Sequence, residues 1–144
     1  MERQYKILVI DDEQGICEKI QKFFTKRGLI VETAFDGEEG LKKLREGEFD
    51  VAIVDIRMPK MDGIEVAQCV DEEGIDTDII MLTGHGDRNE AVAALKARVR
   101  DWIDKDKLEM SALFKRTKEV AQIIPPETIR RILSVIPEKV KWHE

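Results

Sequence analysis

Four short apolar runs in this 144-residue sequence end on residues able to do chemistry. Lys6–Ile10 is followed by Asp11-Asp12-Glu13, Val51–Val54 by Asp55, Ile79–Leu82 by Thr83-Gly84, and Trp102–Ile103 by Asp104-Lys105. Each has a plain reading. Asp12 suits the N-cap of a following helix, Asp55 a turn, Thr83 the end of a strand, and Lys105 a solvated surface. Gathered in one crevice, they amount to three carboxylates, a hydroxyl and an ammonium. Carboxylates that close repel one another unless a cation lies among them. A site of oxygens with room for water suits Mg²⁺, which prefers six oxygen ligands and keeps several waters.

The apolar runs are what would gather them. Runs rich in Ile and Val occur at Lys6–Ile10, Leu29–Ala34, Val51–Val54, Ile79–Leu82 and Trp102–Ile103. Three of them, Ile7–Ile10, Val51–Val54 and Ile79–Leu82, are continuous, as befits strands covered on both faces of a parallel sheet. Between the runs lie helical spacings: Ile16, Ile20, Phe23 and Phe24; Leu41 and Leu44; Ala91, Val92 and Leu95. Every interval is long enough for a crossover helix. The pattern predicts a doubly wound α/β fold, (βα)5, with a five-stranded parallel sheet of the flavodoxin type. In such a sheet ligands bind where the strands end at their carboxyl side, so the four chemical positions fall at one edge.

Composition narrows the class. Charged residues make up 38% and hydrophobic ones 42%, a globular balance, and the net charge of −6 argues against direct nucleic-acid binding. No apolar run approaches a membrane span, and the first residues lack the apolar stretch of a secretory signal. Cys17 and Cys69 form no CxxC motif and read as buried thiols. The expectation is a soluble cytoplasmic domain. Residues 1–107 hold 17 basic and 25 acidic side chains, residues 108–144 hold 7 and 5, so a slightly basic tail follows an acidic body.

On these residues the chain resembles the receiver (CheY-like) domain of two-component response regulators, over about residues 4 to 122. The matching elements are Asp11-Asp12, Asp55, Met58-Pro59-Lys60-Met61-Asp62-Gly63, Thr83-Gly84-His85-Gly86-Asp87 and Asp101-Trp102-Ile103-Asp104-Lys105. The resemblance implies that Asp55 accepts a phosphoryl group from a sensor histidine kinase or phosphotransfer protein. The chain would then be a phosphoacceptor that also loses its phosphate, and not a conventional turnover enzyme. Mg²⁺ would be held by Asp12 directly, Asp11 through water, Asp55 and the backbone carbonyl of Arg57. Lys105 and Thr83 would meet the phosphoryl oxygens. Hydrogen bonds to a charged group are worth about 1.5–3 kcal/mol each. Two of them approach the roughly 5.5 kcal/mol that inverts a 1:99 equilibrium. Thr83 and Trp102 would relay that switch to the face of the fourth helix, fifth strand and fifth helix. Arg57 and His85 hold positions where the family tunes the acyl-phosphate lifetime, and an imidazole in that role would make the lifetime pH-dependent.

The sequence departs from the family's pattern in three places. Asp106 stands where Pro usually follows the lysine, and a non-proline cis bond costs about 3–4 kcal/mol, which predicts a trans Lys105–Asp106 peptide. Arg98-Val99 replaces the Gly-Ala common before strand five, removing a cheap helix end. Asp106 also adds a negative charge near the site. Two other classes fit less well. A haloacid-dehalogenase-like phosphatase needs a second Asp two residues after the nucleophile, where Arg57 stands. A nucleotide or flavin module needs a phosphate-cradling first loop, where Asp11-Asp12-Glu13 would repel phosphate. A phospho-independent interaction module is the remaining alternative.

The expected organisation is a receiver domain at 1–124 and a helical extension or linker at 125–144. A helix over about 107–123 would carry Met110, Leu113, Thr117, Val120 and Ile124 on one stripe. Pro125-Pro126 would stop it and start another over Pro126–Ile136, with Ile129, Ile132, Leu133 and Ile136 on one face. That face should pack on its own domain or on a second copy, giving a homodimer through this helix or the fourth-helix, fifth-strand, fifth-helix face. A chain of this length reads as a stand-alone receiver or the start of a longer regulator.

Overall fold

A computed structural model describes residues 3–84, 99–123 and 126–136. The elements are β1 (Lys6–Ile10), α1 (Gln14–Thr25), β2 (Ile30–Ala34), α2 (Gly37–Glu46), β3 (Val51–Asp55), α3 (Gly63–Glu72), β4 (Asp78–Thr83) and β5 (Val99–Asp104). A one-turn 3-10 helix (Lys105–Lys107), α4 (Met110–Ala121) and α5 (Pro126–Ser134) follow. All strand pairs are parallel, in the order β2-β1-β3-β4-β5. The helix expected around Ala91, Val92 and Leu95 lies outside the described residues, as does Arg98.

The continuous runs are buried on both faces, as their composition requires. Ile7, Val9, Val51, Ile53, Ile80 and Leu82 face α1 and α4, with Cys17, Ile20, Phe24, Leu113 and Val120. Leu8, Ile10, Ala52, Val54, Ile79 and Met81 face α2 and α3, with Leu41, Leu44, Val66 and Val70. Phe23, Phe24 and Phe114 meet edge to face between α1 and α4, with Phe24 and Phe114 ring centroids 5.4 Å apart.

The fifth strand is longer than its apolar signal. Only Trp102–Ile103 marks it in the sequence, yet it runs for six residues. An edge strand is covered on fewer sides and tolerates charge, and here the charges are paired. Arg100 reaches Asp78 at 3.0 Å and Asp101 accepts from Arg116 at 2.7 Å. Ile79 pairs with Val99 and Ile80 with Asp101, so Arg100 is an extra residue, a bulge that breaks the alternation periodicity looks for. Helix α4 starts at Met110 rather than near 107 because the 3-10 turn intervenes. The Pro126 helix forms as expected. Its Ile129, Ile132 and Leu133 are 43%, 50% and 47% exposed, so they are not packed back on the domain.

Candidate functional site

Because β1 lies between β2 and β3, the chain leaves β1 in one direction and returns across it to begin β3. Loops therefore diverge above the carboxyl ends of β1 and β3, and this opening holds Asp11, Asp12 and Asp55. Asp55 is the last residue of β3, paired with Leu82 of β4. Asp12 is not the cap of α1, which is Glu13 and makes no side-chain cap bond. Each of Asp11, Asp12 and Asp55 offers an oxygen within 4.8 Å of the others; Asp12 is exposed while Asp11 and Asp55 are buried.

The loop after β3 is shaped to leave Asp55 at the surface of this opening. Asp62 caps α3 by accepting from the Glu65 N–H at 2.8 Å, and the Gly63 N–H donates to the Ile56 carbonyl at 2.8 Å. A side chain at Gly63 would collide with the Asp55 carbonyl, so glycine is what lets α3 begin against the end of β3. Lys60 takes a left-handed φ of 70°, an uncommon choice for a residue with a side chain.

Lys105 crosses from β5 into the acid group. Its Nζ lies 2.9 Å from Glu13 Oε1, 3.3 Å from Asp55 Oδ2, and 3.2 and 3.0 Å from the two oxygens of Asp11. The Lys105–Asp106 peptide is trans. Burial alone would lower the lysine pKa, but its bonds to Glu13 and Asp11 outweigh this and hold it above the ordinary value. Burial, seconded by the charge of Asp11, pushes Asp55 up to about 6 against the pull of Lys105. Burial also raises Asp11, against a 2.9 Å hydrogen bond from the Glu13 N–H. Asp11 Oδ2 is buried and accepts no hydrogen bond; the ammonium 3.0 Å away attracts it without the alignment of a bond. A buried carboxylate oxygen left in that state, beside two further carboxylates, fits a hard cation such as Mg²⁺.

The other expected residues are placed less decisively. Thr83 ends β4, next to Asp55 on β3, and its hydroxyl points to the Ile103 carbonyl at 3.4 Å rather than into the acid group. Trp102 is half-buried against the core on the α2–α3 face. Arg57 is exposed on the loop after β3, Asp106 is exposed beyond Lys105, and His85 lies outside the described residues. Two neighbours of the site are not marked by their sequence context. Glu13, in the acidic run after β1, meets Lys105 across 92 residues of sequence. Cys17 donates its thiol to the Asp11 carbonyl at 3.3 Å; burial and Asp11 push its pKa up to about 12, so it is an inert support.

A doubly wound sheet carrying three acids and a lysine over its crossing point has the architecture of a phosphoacceptor receiver. The chain belongs to the response regulator receiver domain family, whose sequence model matches residues 7–118. It is similar to the transcriptional regulatory protein DltR of Streptococcus agalactiae, 37% identical over 100 residues, 69% of this chain and 45% of that protein. It is also similar to the response regulator MprA of Mycobacterium ulcerans, 35% identical over 119 residues, 78% of this chain and 51% of that one. The chain thus spans about half the length of these relatives. Among solved structures, the response regulator TrrA of Thermotoga maritima in complex with Mg(2+)-BeF shares 32% identity at a TM-score of 0.70, over 81% of this chain and 99% of that chain. A CheY-like receiver domain protein from Methanospirillum hungatei superposes at 0.77 with 26% identity, over 90% and 99%. Among the described residues no helix is long and apolar enough to cross a membrane.

Proposed function

We propose that Asp55 is the phosphoacceptor of this receiver and takes its phosphoryl group from a phosphohistidine on a sensor kinase or phosphotransfer protein. The observation that carries this is Lys105 Nζ held 3.3 Å from Asp55 Oδ2 beside a buried Asp11 oxygen with no hydrogen bond. An Asp55 oxygen attacks phosphorus, and the O–P bond forms as the N–P bond breaks. The electron pair leaves on the imidazole nitrogen, which takes up a proton. Such transfer is mostly positioning and neutralisation of charge. Asp11, Asp12, Asp55 and the Arg57 carbonyl would hold Mg²⁺, which when bound offsets the negative charge of the phosphoryl oxygens. Lys105 supplies a point charge to one of those oxygens. Thr83 supplies a hydroxyl donor, which must turn from Ile103 to do so, and Trp102 on the adjoining strand follows that turn. Arg57 and His85 set how fast water reaches the acyl phosphate.

The reading gives residues 1–124 as the receiver, 125–144 as an extension, and a cytoplasmic protein that signals through a partner or output region. The exposed Ile129, Ile132 and Leu133 favour a second copy as the cover of α5. A phosphatase of the haloacid dehalogenase type is disfavoured by Arg57 in place of its second acid. Incubation with acetyl phosphate and Mg²⁺ should raise the intact mass by one phosphoryl group, and Asp55→Asn should abolish the gain. Equal labelling of the variant overturns the assignment.

A further inference from the structure

Lys105 has far to reach. It follows β5, whereas Asp55 ends β3 and Asp11 follows β1, with β4 between. Strands lie about 4.8 Å apart, so the ammonium must travel roughly 10 Å across the sheet to Asp55, more than a lysine side chain spans unless the backbone turns inward. It does turn, in the 3-10 helix Lys105–Lys107. The peptide is trans, and Asp106 and Lys107 are exposed, so no packing of their side chains fixes the turn. Two contacts do. Asp104 Oδ1 accepts the Asp106 N–H at 2.9 Å, and the Leu108 N–H closes on the Lys105 carbonyl at 3.4 Å, with Leu108 packed on the α1–α4 core.

We infer that Asp104 is the positioning residue for Lys105: its side chain caps the turn that aims the ammonium at Asp55. The inference rests on the phosphoacceptor reading for its consequence in catalysis but not for its geometry. A carboxylate at the end of β5 brings no bulk to the core and is itself exposed. Its side chain caps the turn that begins at Lys105, directly after the strand's last residue. Loss of a capping acceptor loosens a turn, and a misplacement of about 1 Å in a group acting by position costs up to about a hundredfold in rate.

The test uses the full chain in five forms: parent, Asp104→Ala, Asp104→Asn, Lys105→Ala and the Ala/Ala double variant. Asn keeps a carbonyl acceptor and should retain the cap. The first readout is independent of phosphorylation: acylation of lysines by an amine-reactive reagent, mapped by peptide mass spectrometry. Lys105, 13% exposed and held by three carboxylates, should react slowly in the parent. It should react severalfold faster in Asp104→Ala and at the parent rate in Asp104→Asn. The second readout is the rate of labelling by acetyl phosphate with Mg²⁺. Asp104→Ala should lose about tenfold, Asp104→Asn little, and Asp104→Ala should add nothing in the Lys105→Ala background, since coupled residues are not additive. Unchanged acylation of Lys105 in Asp104→Ala overturns the inference, as does an equal loss in Asp104→Asn or full additivity in the double variant. If acylation responds as expected while no form is labelled, Asp104 still positions Lys105 and the phosphoacceptor reading is what fails.

Discussion

Ionising Asp55 is expensive in the folded chain. Its carboxyl titrates at about 6 against an ordinary 3.8, chiefly through burial and then through Asp11. That difference, with the opposing pull of Lys105 already in it, corresponds to about 3 kcal/mol of destabilisation at neutral pH. The sign follows from the raised value. The folded chain binds the proton more tightly than the unfolded one, so this contribution is harmless below about pH 4, and stability falls as pH rises through 6. Without metal, Asp55→Asn should therefore be more stable than the parent by about 1–2 kcal/mol at pH 7, with the gap closing toward pH 4. Urea denaturation across that range checks it, and a variant less stable at pH 7 refutes it. Mg²⁺ should stabilise the parent far more than the variant. Lys105 occupies the acid group proposed to hold the cation, 3.0 Å from Asp11 and 3.3 Å from Asp55. Lys105→Met should accordingly bind Mg²⁺ about tenfold more tightly, read by titration of tryptophan fluorescence, while losing phosphoryl acceptance.

At the scale of elements, the site depends on how closely α3 starts on β3. A methyl at Gly63 would meet the Asp55 carbonyl and lie 3.0 Å from Ile56 Cα, both backbone atoms with little freedom to move. Gly63→Ala should cost about 2–4 kcal/mol in a urea titration and slow acetyl-phosphate labelling, because the displaced atom belongs to the proposed acceptor residue. Labelling and stability both at parent levels would show that the loop gives way freely. The cap Asp62 and the left-handed Lys60 belong to the same connection. The loop from Arg57 to Asp62 thus acts as one unit that fixes where Asp55 stands.

At the scale of the whole molecule, α5 carries the main cluster of exposed aliphatic side chains among the described residues. Ile129, Ile132 and Leu133 are each about half exposed, on a helix of nine residues that is short for independent stability. Full burial of an exposed aliphatic side chain gains about 1.5–3 kcal/mol, so covering the exposed half of each of these three gains about 1 kcal/mol apiece, which favours a second copy over solvent. Light scattering at tens of micromolar should give a dimer for the full chain and a monomer for a chain ending at residue 124. Monomers of both would exclude self-association through this helix.

How far the sequence alone reaches differs from place to place. Val51–Val54 and Ile79–Leu82 are continuous apolar runs, and a buried parallel strand has no other economical composition, so the central sheet and the winding were legible from pattern. The acids at the ends of β1 and β3 followed from that winding, since strand ends of one parallel sheet must share an edge. β5 was legible only at Trp102–Ile103, because the charges at Arg100 and Asp101 are neutralised by Asp78 and Arg116, partners remote in sequence. Nothing local announces that Glu13 and Lys105 meet, that Asp104 caps the turn in which Lys105 lies, or that Thr83 faces Ile103. Sequence spacing determined which groups reach the opening. Their ordering within it, with Asp11 dry, Asp12 wet and Lys105 shared among three carboxylates, came from packing, because burial and partner distance are properties of the assembled sheet and not of any segment.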